Sequence, residues 1–180
     1  MSAKMIAKKY AKALISVGQE SPEGSERFRP GLARVRELFA VPQAYKILKS
    51  PVMPDGLKYE LLMYAVNGDT QAKHLIVFLE LLLAVKRVQL LPAIVEEFEE
   101  MLAEAKGQLY GVLTTVLPTG SQEQNALATD LSKLFGKRVV LENRVDAKLL
   151  GGFTIRIGNT VIDQSITSKL TALTRQLQLS

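Results

Sequence analysis

Cysteine is absent from this 180-residue chain, and histidine occurs once, as His74. The first absence excludes disulfides and thiolate metal sites and suits a reducing compartment. Together the two exclude a multi-histidine or Cys/His metal centre. Aromatic residues make up only 6%, and none alternate with basic residues as a base-stacking platform requires. Long apolar runs are missing too. The longest, LIVFLELLLAV from Leu75 to Val85, is interrupted by Glu80. As a helix it would span about 16 Å, roughly half a bilayer's hydrocarbon core. It therefore predicts a buried helix rather than a membrane span. The N-terminus lacks the apolar stretch of a secretory signal. Its first helix has the acid-free basic character of a mitochondrial presequence, but it lacks arginine and runs directly into the sequence that follows.

What is present is core-forming material. Hydrophobic residues make up 47% of the chain, and the net charge is +5. That composition argues against disorder and falls short of a dedicated nucleic-acid binder. The charge is uneven. Residues 1–105 hold 14 Lys and Arg against 13 Asp and Glu, whereas residues 106–180 hold 9 against 5. Lys4, Lys8, Lys9 and Lys12 have no acid near them in sequence.

The first 105 residues carry helical periodicity. Ala3, Ile6, Ala7, Tyr10, Ala13, Leu14 and Val17 form a stripe at steps of three and four, which predicts a first helix. Ser21-Pro22-Glu23-Gly24-Ser25 reads as a turn. A second helix follows, with Phe28, Leu32, Val35 and Phe39 on one face and Pro30 in its first turn. A short helix around Tyr45 to Leu48 should end before Ser50-Pro51. A fourth starts at Pro54, with Leu57, Leu61 and Tyr64 inward, and breaks at Asn67-Gly68-Asp69. The apolar fifth helix runs from about Thr70 to Val88. A sixth opens at Leu91-Pro92, with Val95, Phe98 and Leu102 inward and Glu96, Glu97, Glu99, Glu100 and Glu104 largely outward.

Near Ala105-Lys106-Gly107 the period changes from 3.6 to 2, which marks a boundary between domains 1–105 and 106–180. Tyr110 to Leu117 reads as a strand. Ser121 and Gln124 match a capping box on a helix carrying Leu127, Leu131 and Leu134, which Gly136 closes. Val139, Leu141, Asn143 and Val145 alternate along a second strand. Phe153, Ile155 and Ile157 alternate with Thr154 and Arg156, Gly158-Asn159 is a two-residue hairpin turn, and Thr160 to Ile162 return. Asp163 or Ser165 can cap a last helix carrying Ile166, Leu170, Leu173 and Leu177. Gly151 and Gly152 have the structural task of a bend. The fold class expected is a six-helix N-terminal bundle followed by a small α/β domain with a β-hairpin and a terminal helix.

Candidate chemistry is sparse. His74 has no partner motif for nucleophilic catalysis. The glutamates of the sixth helix read as a solvated face. Neither GxxxxGK[ST] nor GxGxxG occurs, so the glycines do not form a phosphate loop. No catalytic, cofactor or metal site is expected. The lysine-rich first helix suits either solvent or an acidic partner. In the Leu75–Val85 segment ten of eleven residues are apolar, more than one buried face needs. This helix is either enclosed by its own bundle or half-covered by an amphipathic helix from another protein. A basic nucleic-acid-binding module and a small enzyme are the rival readings, and the second lacks converging titratable groups.

Three segments carry a family resemblance. AKKYAKAL, Ala7 to Leu14, is similar to an R-Y-A-x-A-L segment. FLELLLAVKRVQLLPAIVEEF, Phe78 to Phe98, places Arg87, Leu90, Leu91 and Pro92 in a pattern of apolar helix, Arg, two leucines and Pro. Leu150-Gly151-Gly152, Arg156, Gly158, Val161-Ile162-Asp163, Ser165-Ile166, Leu170 and Leu173 follow the most specific motif. Over its whole length the chain resembles the delta subunit of bacterial F-type ATP synthases, the counterpart of the mitochondrial oligomycin-sensitivity-conferring protein. It departs at Asn159, where the family often has Asp, and at Ala84-Val85-Lys86, where the family often has Glu-Asn-Gly, a change that suggests a longer fifth helix.

The resemblance implies a non-catalytic peripheral-stalk stator. Such a subunit links the alpha/beta head to the b-subunit stalk, so that rotation is coupled to ATP synthesis or hydrolysis. It implies a peripheral location on the cytoplasmic face of the bacterial inner membrane and no cofactor. It also implies a groove between helices one and five for the N-terminal helix of an alpha subunit. By position, Tyr10, Ala13, Leu14 and Val17 face Phe78, Leu79, Leu82 and Leu83. The C-terminal domain would bind the C-terminal helices of the b subunits. Arg156, Lys169 and Arg175 suit either acidic stalk residues or solvent.

Overall fold

The computed structural model describes residues 3–19, 24–66, 73–147 and 149–170. Residues 21–23 of the expected turn, the break at Asn67-Gly68-Asp69, the start of the fifth helix at Thr70, Lys148, Leu173, Arg175 and Leu177 lie outside them. The chain divides into two compact units, Met1–Leu102 and Ala103–Ser180.

The first unit holds six helices: α1 (Ala3–Gln19), α2 (Arg29–Ala40), α3 (Pro42–Lys49), α4 (Asp55–Val66), α5 (Lys73–Ala84) and α6 (Leu91–Ala105), whose last turn belongs to the second unit. Prolines open α2 and α3, where a missing N–H costs nothing. Short 3-10 turns at Ser25–Phe28 and Val88–Leu90 lead into α2 and α6. One continuous core joins Ala7, Ala11 and Leu14 of α1 to Phe28, Leu32 and Val35, and to Leu75, Leu79, Leu82, Leu91 and Phe98. Burying each large side chain is worth about 1.5–3 kcal/mol.

Three sequence expectations change here. On α4 the buried residues are Lys58, Leu62 and Val66, whereas Leu57 and Tyr64 are exposed. Apolar residues stand on every side of α4, so its inward face is not marked. Lys58 buries its stem and holds its ammonium 3.8 Å from Asp55. Of the α6 glutamates only Glu104 is exposed, and Glu97 is buried. Basic residues of other elements fold onto that row: Lys4 pairs with Glu97 at 3.5 Å and Arg29 with Glu99 at 2.9 Å. Finally, α5 ends at Ala84 rather than lengthening. Lys86 takes the left-handed conformation at φ 54, its N–H reaching the Leu83 carbonyl and that of Arg87 the Leu82 carbonyl. This is the double bond that closes a helix around a C′ residue, usually glycine.

The second unit is a four-stranded mixed sheet in the order β2-β1-β3-β4. Its strands are β1 (Leu109–Thr115), β2 (Val139–Val145), β3 (Phe153–Ile157) and β4 (Thr160–Asp163), with α7 (Ser121–Phe135) crossing between the parallel pair β1 and β2. β3 pairs antiparallel with both β1 and β4. Leu113, Val139, Leu141, Ile155 and Ile157 share one face and pack on Leu131, with Leu127 and Phe135 partly buried against them. Leu134 points to solvent, because the α7 stripe runs in steps of four through Phe135. In register, Gly111 lies between Leu141 and Ile157. A Cβ there would come within 2.9 Å of one and 2.8 Å of the other. The opposite face is mixed, with Tyr110 and Val112 buried beside Ala103. There Tyr110 donates to Glu142, which also accepts from Arg144 at 2.9 Å.

The expected capping box does not form. Gly120 is the N-cap, one residue before Ser121, and no side chain caps it. Gln124 instead donates to the Leu141 carbonyl at 2.6 Å, and Ser132 Oγ accepts from the Val139 N–H at 2.8 Å. Side chains of α7 thus cover the outer edge of β2, a use that outweighs a cap because an open edge invites foreign strands. Gly136 closes α7 at φ 65.

A candidate docking face on the helical unit

Small residues let α1 approach its neighbours closely. Ala7, Ala11 and Gly18 are buried in turn along one side, with Leu14 between them. This seats Tyr10 at the edge of the core, its ring 6.1 Å from Phe78 of α5 in an edge-on contact, a geometry aromatic quadrupoles favour. Arg87, just beyond α5, completes the cluster. Its Nη1 donates to the Tyr10 hydroxyl at 3.0 Å, and the guanidinium lies 5.8 Å from the ring centroid.

The eight expected groove residues divide by burial. Leu79 and Leu82 are fully buried, Leu14 is 2% exposed, and Phe78 and Leu83 are under a tenth exposed. In the isolated chain these five pack inside the bundle. Tyr10 is half-buried, and Ala13 and Val17 are exposed. Ile6, Tyr10, Ala13 and Val17 therefore form an apolar shoulder along α1. On α5 the large apolar residues presented to solvent are Val77 at 63% and Leu81 at 50%, with Val85 at 42% just past its end. They repeat at steps of four on the side next to Phe78. Sequence reasoning missed these three, although the excess of apolar residues in α5 was the signal for them.

His74 is exposed, its Nδ1 3.4 Å from Arg27 Nη2. A cavity of about 320 Å³ lies among α3, α4 and the end of α5, lined in part by Lys49, Lys58, Lys86 and Asp55. Lys49 ends α3 and Lys86 follows α5, the positions where cations complement a helix dipole. Among the described residues no group of three or more His, Asp and Glu could hold a metal ion. Among them, too, no helix is long and apolar enough to cross a membrane.

The structural turn and cap residues lie together in the second unit. Gly158 has φ 55 at the β3–β4 turn, beside Asn159, and Gly152 has φ 78 just before β3. Asp163 Oδ1 accepts from the Ser165 N–H at 2.8 Å, and its Oδ2 accepts from Ser168 Oγ at 2.5 Å. Ser165 Oγ accepts from the Ser168 N–H at 3.2 Å, so Ser165 is the helix cap and Asp163 braces it. These bonds, the one from Ser168 Oγ first and that from the Ser165 N–H next, hold the Asp163 carboxyl below its ordinary value, against a small opposing effect of burial. Residues 166–170 are helical, with Ile166 and Leu170 exposed on one side. The Ile166 N–H donates to the Gly151 carbonyl at 3.0 Å.

Known proteins match this arrangement along its length. The sequence profile of the ATP synthase delta (OSCP) subunit matches residues 6–177. The ATP synthase subunit delta of Desulfotalea psychrophila is 30% identical over 99% of this chain and 98% of its own. That of Chlorobium phaeobacteroides is 31% identical over 98% and 97%, and that of Gemmatimonas aurantiaca 32% over 96% and 92%. A chain of the Toxoplasma gondii mitochondrial ATP synthase hexamer shares the fold, with a TM-score of 0.61 over 96% of this chain and 97% of that one at 20% identity. With the profile spanning both units and the relatives aligned almost end to end, the chain belongs to the ATP synthase delta (OSCP) subunit family, the non-catalytic stator subunits of ATP synthase.

Proposed function

We propose that this chain ties the alpha/beta head of a bacterial F-type ATP synthase to its b-subunit stalk, on the cytoplasmic face of the inner membrane. Residues 1–105 grip the head and residues 106–180 grip the stalk. The N-terminal helix of an alpha subunit lies in the channel between α1 and α5. Tyr10, Ala13 and Val17 form one wall, Val77, Leu81 and Val85 the other, and Phe78 the floor. Leu14, Leu79, Leu82 and Leu83 support that floor from within. The single observation that carries this reading is the apolar strip exposed along α5 beside the Tyr10–Phe78 contact. It has the i, i+4, i+8 form that an amphipathic helix covers.

On the second unit, the exposed Ile166 and Leu170 on the last helix suit the C-terminal helices of the b subunits, with Lys169 beside them and Arg156 on β3 as basic partners. Holding at two linked contacts gives a residence beyond either alone, as a stator under torque requires.

The test uses the full chain. Leu81→Asp alters an exposed position, so the bundle keeps its fold, while a charge enters the channel. Head binding by calorimetry should fall about thirtyfold, from roughly 2 kcal/mol of unpaired charge, with capture of the b subunits unchanged. Unaltered head affinity refutes the channel, and loss of b capture in the same variant refutes the division between the two units.

A further inference from the structure

The channel between α1 and α5 carries one strongly polar group at its end, Arg87, and the charge around it is predominantly positive. α1 contains four lysines and no acid, and residues 73–87 hold Lys73, Lys86 and Arg87 against Glu80 alone. Glu97 pairs with Lys4. Among the described residues, Arg87 has one hydrogen-bonding side-chain partner, the Tyr10 hydroxyl at 3.0 Å. A guanidinium has five N–H donors in a planar fork. In the free chain water takes the rest, since Arg87 is exposed.

A helix lying over Tyr10 and Phe78 removes that water. Donors of a cation left facing an apolar surface are costly, whereas a carboxylate placed across the fork offsets the cost with two parallel charge-assisted bonds. The backbone holds Arg87 for this role. Its N–H is tied to the Leu82 carbonyl at 2.8 Å, and Lys86 before it takes a left-handed conformation that side-chain-bearing residues rarely adopt. Strain of this kind persists where surrounding structure demands it.

We infer that Arg87 is the polar anchor of the channel and reads a carboxylate on the docked helix, so that the partner helix is acidic as well as amphipathic. This rests on the proposed docking of an alpha-subunit helix. Tyr10 positions the guanidinium, and the lysines of α1 add long-range attraction that speeds encounter.

The experiment is a double-substitution cycle by calorimetry with the full chain. The probe is a synthetic peptide of the cognate alpha subunit's N-terminal helix, used as such and with each Asp and Glu changed to its amide. Arg87→Gln keeps a donor for Tyr10 and removes the charge. With wild-type chain, the amide peptide should bind about tenfold more weakly. With Arg87→Gln, the acidic peptide should lose a similar factor, and the amide peptide should bind no worse than the acidic one. Added salt should weaken the wild-type pair with the acidic peptide most, the α1 lysines leaving a smaller salt dependence in Arg87→Gln. The peptide-side change does not depend on how the variant folds. Two independent, multiplying losses, no loss, or a cognate helix without a carboxylate beside its apolar face would each overturn the anchor while leaving the channel intact. Failure of the acidic peptide to bind wild-type chain overturns the channel itself.

Discussion

Gly152 and Gly158 share a backbone conformation and differ in surroundings, so alanine at each separates strain from collision. Both have positive φ, 78 and 55. A side chain in that region costs about 1–2 kcal/mol, and roughly half of this is offset because alanine restricts the unfolded chain. At Gly158 nothing lies within 4 Å of the added Cβ. Gly158→Ala should therefore cost only about 1 kcal/mol. At Gly152 the Cβ would stand 2.3 Å from the Gln164 carbonyl oxygen and 3.0 Å from Ser165 Cα. Those are backbone atoms and cannot swing aside. Their segment is pinned by the Gln164 N–H on the Phe153 carbonyl at 2.9 Å and the Ile166 N–H on Gly151 at 3.0 Å, and Ser165 is 2% exposed. Relieving the collision gives up both bonds, each worth about 1 kcal/mol. Gly152→Ala should thus cost about 3 kcal/mol. Two units need not unfold together, so the assay is hydrogen exchange of the β3 and β4 amides in the intact chain. About 3 kcal/mol accelerates exchange over a hundredfold, about 1 kcal/mol only severalfold. Equal acceleration in the two variants, or acceleration spreading to α1–α4, refutes the reasoning.

Lys86→Gly should stabilise the helical unit by about 0.5–1 kcal/mol, because the left-handed position after α5 no longer carries a Cβ; an unchanged or lowered melting temperature contradicts this. Asn143 accepts from the Thr119 N–H at 3.1 Å and donates to Thr115 Oγ1 at 2.8 Å, so Asn143→Leu should cost about 2 kcal/mol, read as a lower urea midpoint of the sheet. The folded Asp163 carboxyl titrates below its unfolded value; its contribution is present above the unfolded pKa and is lost as pH falls through the folded one. Exchange at the amides of residues 165–168 should therefore quicken below the ordinary carboxylate range, and Asp163→Asn should abolish that acid dependence.

Legibility followed the contrast within each element. Strand β3 alternates apolar and polar residues without exception, and Ile155 and Ile157 are buried where that alternation puts them. Helix α2 has one apolar side, and Leu32 and Val35 fill it, continued by Phe28 at its N-cap. Helix α4 has apolar residues all round, so pattern could not choose between Leu57–Leu61–Tyr64 and Lys58–Leu62–Val66. The choice was made by packing, together with an acid one turn before Lys58. The α7 cap was misplaced for a different reason. Ser121 and Gln124 have the right spacing for a box, but Gln124 has a second use on the β2 edge, which only the sheet order reveals. Asn143 likewise reads as one more position in an alternating strand until the turn carrying Thr119 closes over it.

The candidate site shows the same limit in sharper form. An excess of apolar residues in α5 was visible, and it implied that some of them faced outward; which ones was not visible, because ten apolar residues in eleven leave the helix without a phase. The phase is set from outside the helix. Three small or medium residues on α1, Ala7, Ala11 and Leu14, let it sit close enough for Tyr10 to meet Phe78. Once Phe78 lies at the seam, steps of 100° per residue place Leu75, Leu79 and Leu82 inward and leave Val77 and Leu81 to solvent. The left-handed turn at Lys86 then stops α5 where Arg87 can reach the Tyr10 hydroxyl. The channel is therefore defined by a ring contact and a side-chain hydrogen bond whose partners are 68 and 77 residues apart in sequence, a coincidence that no local pattern encodes.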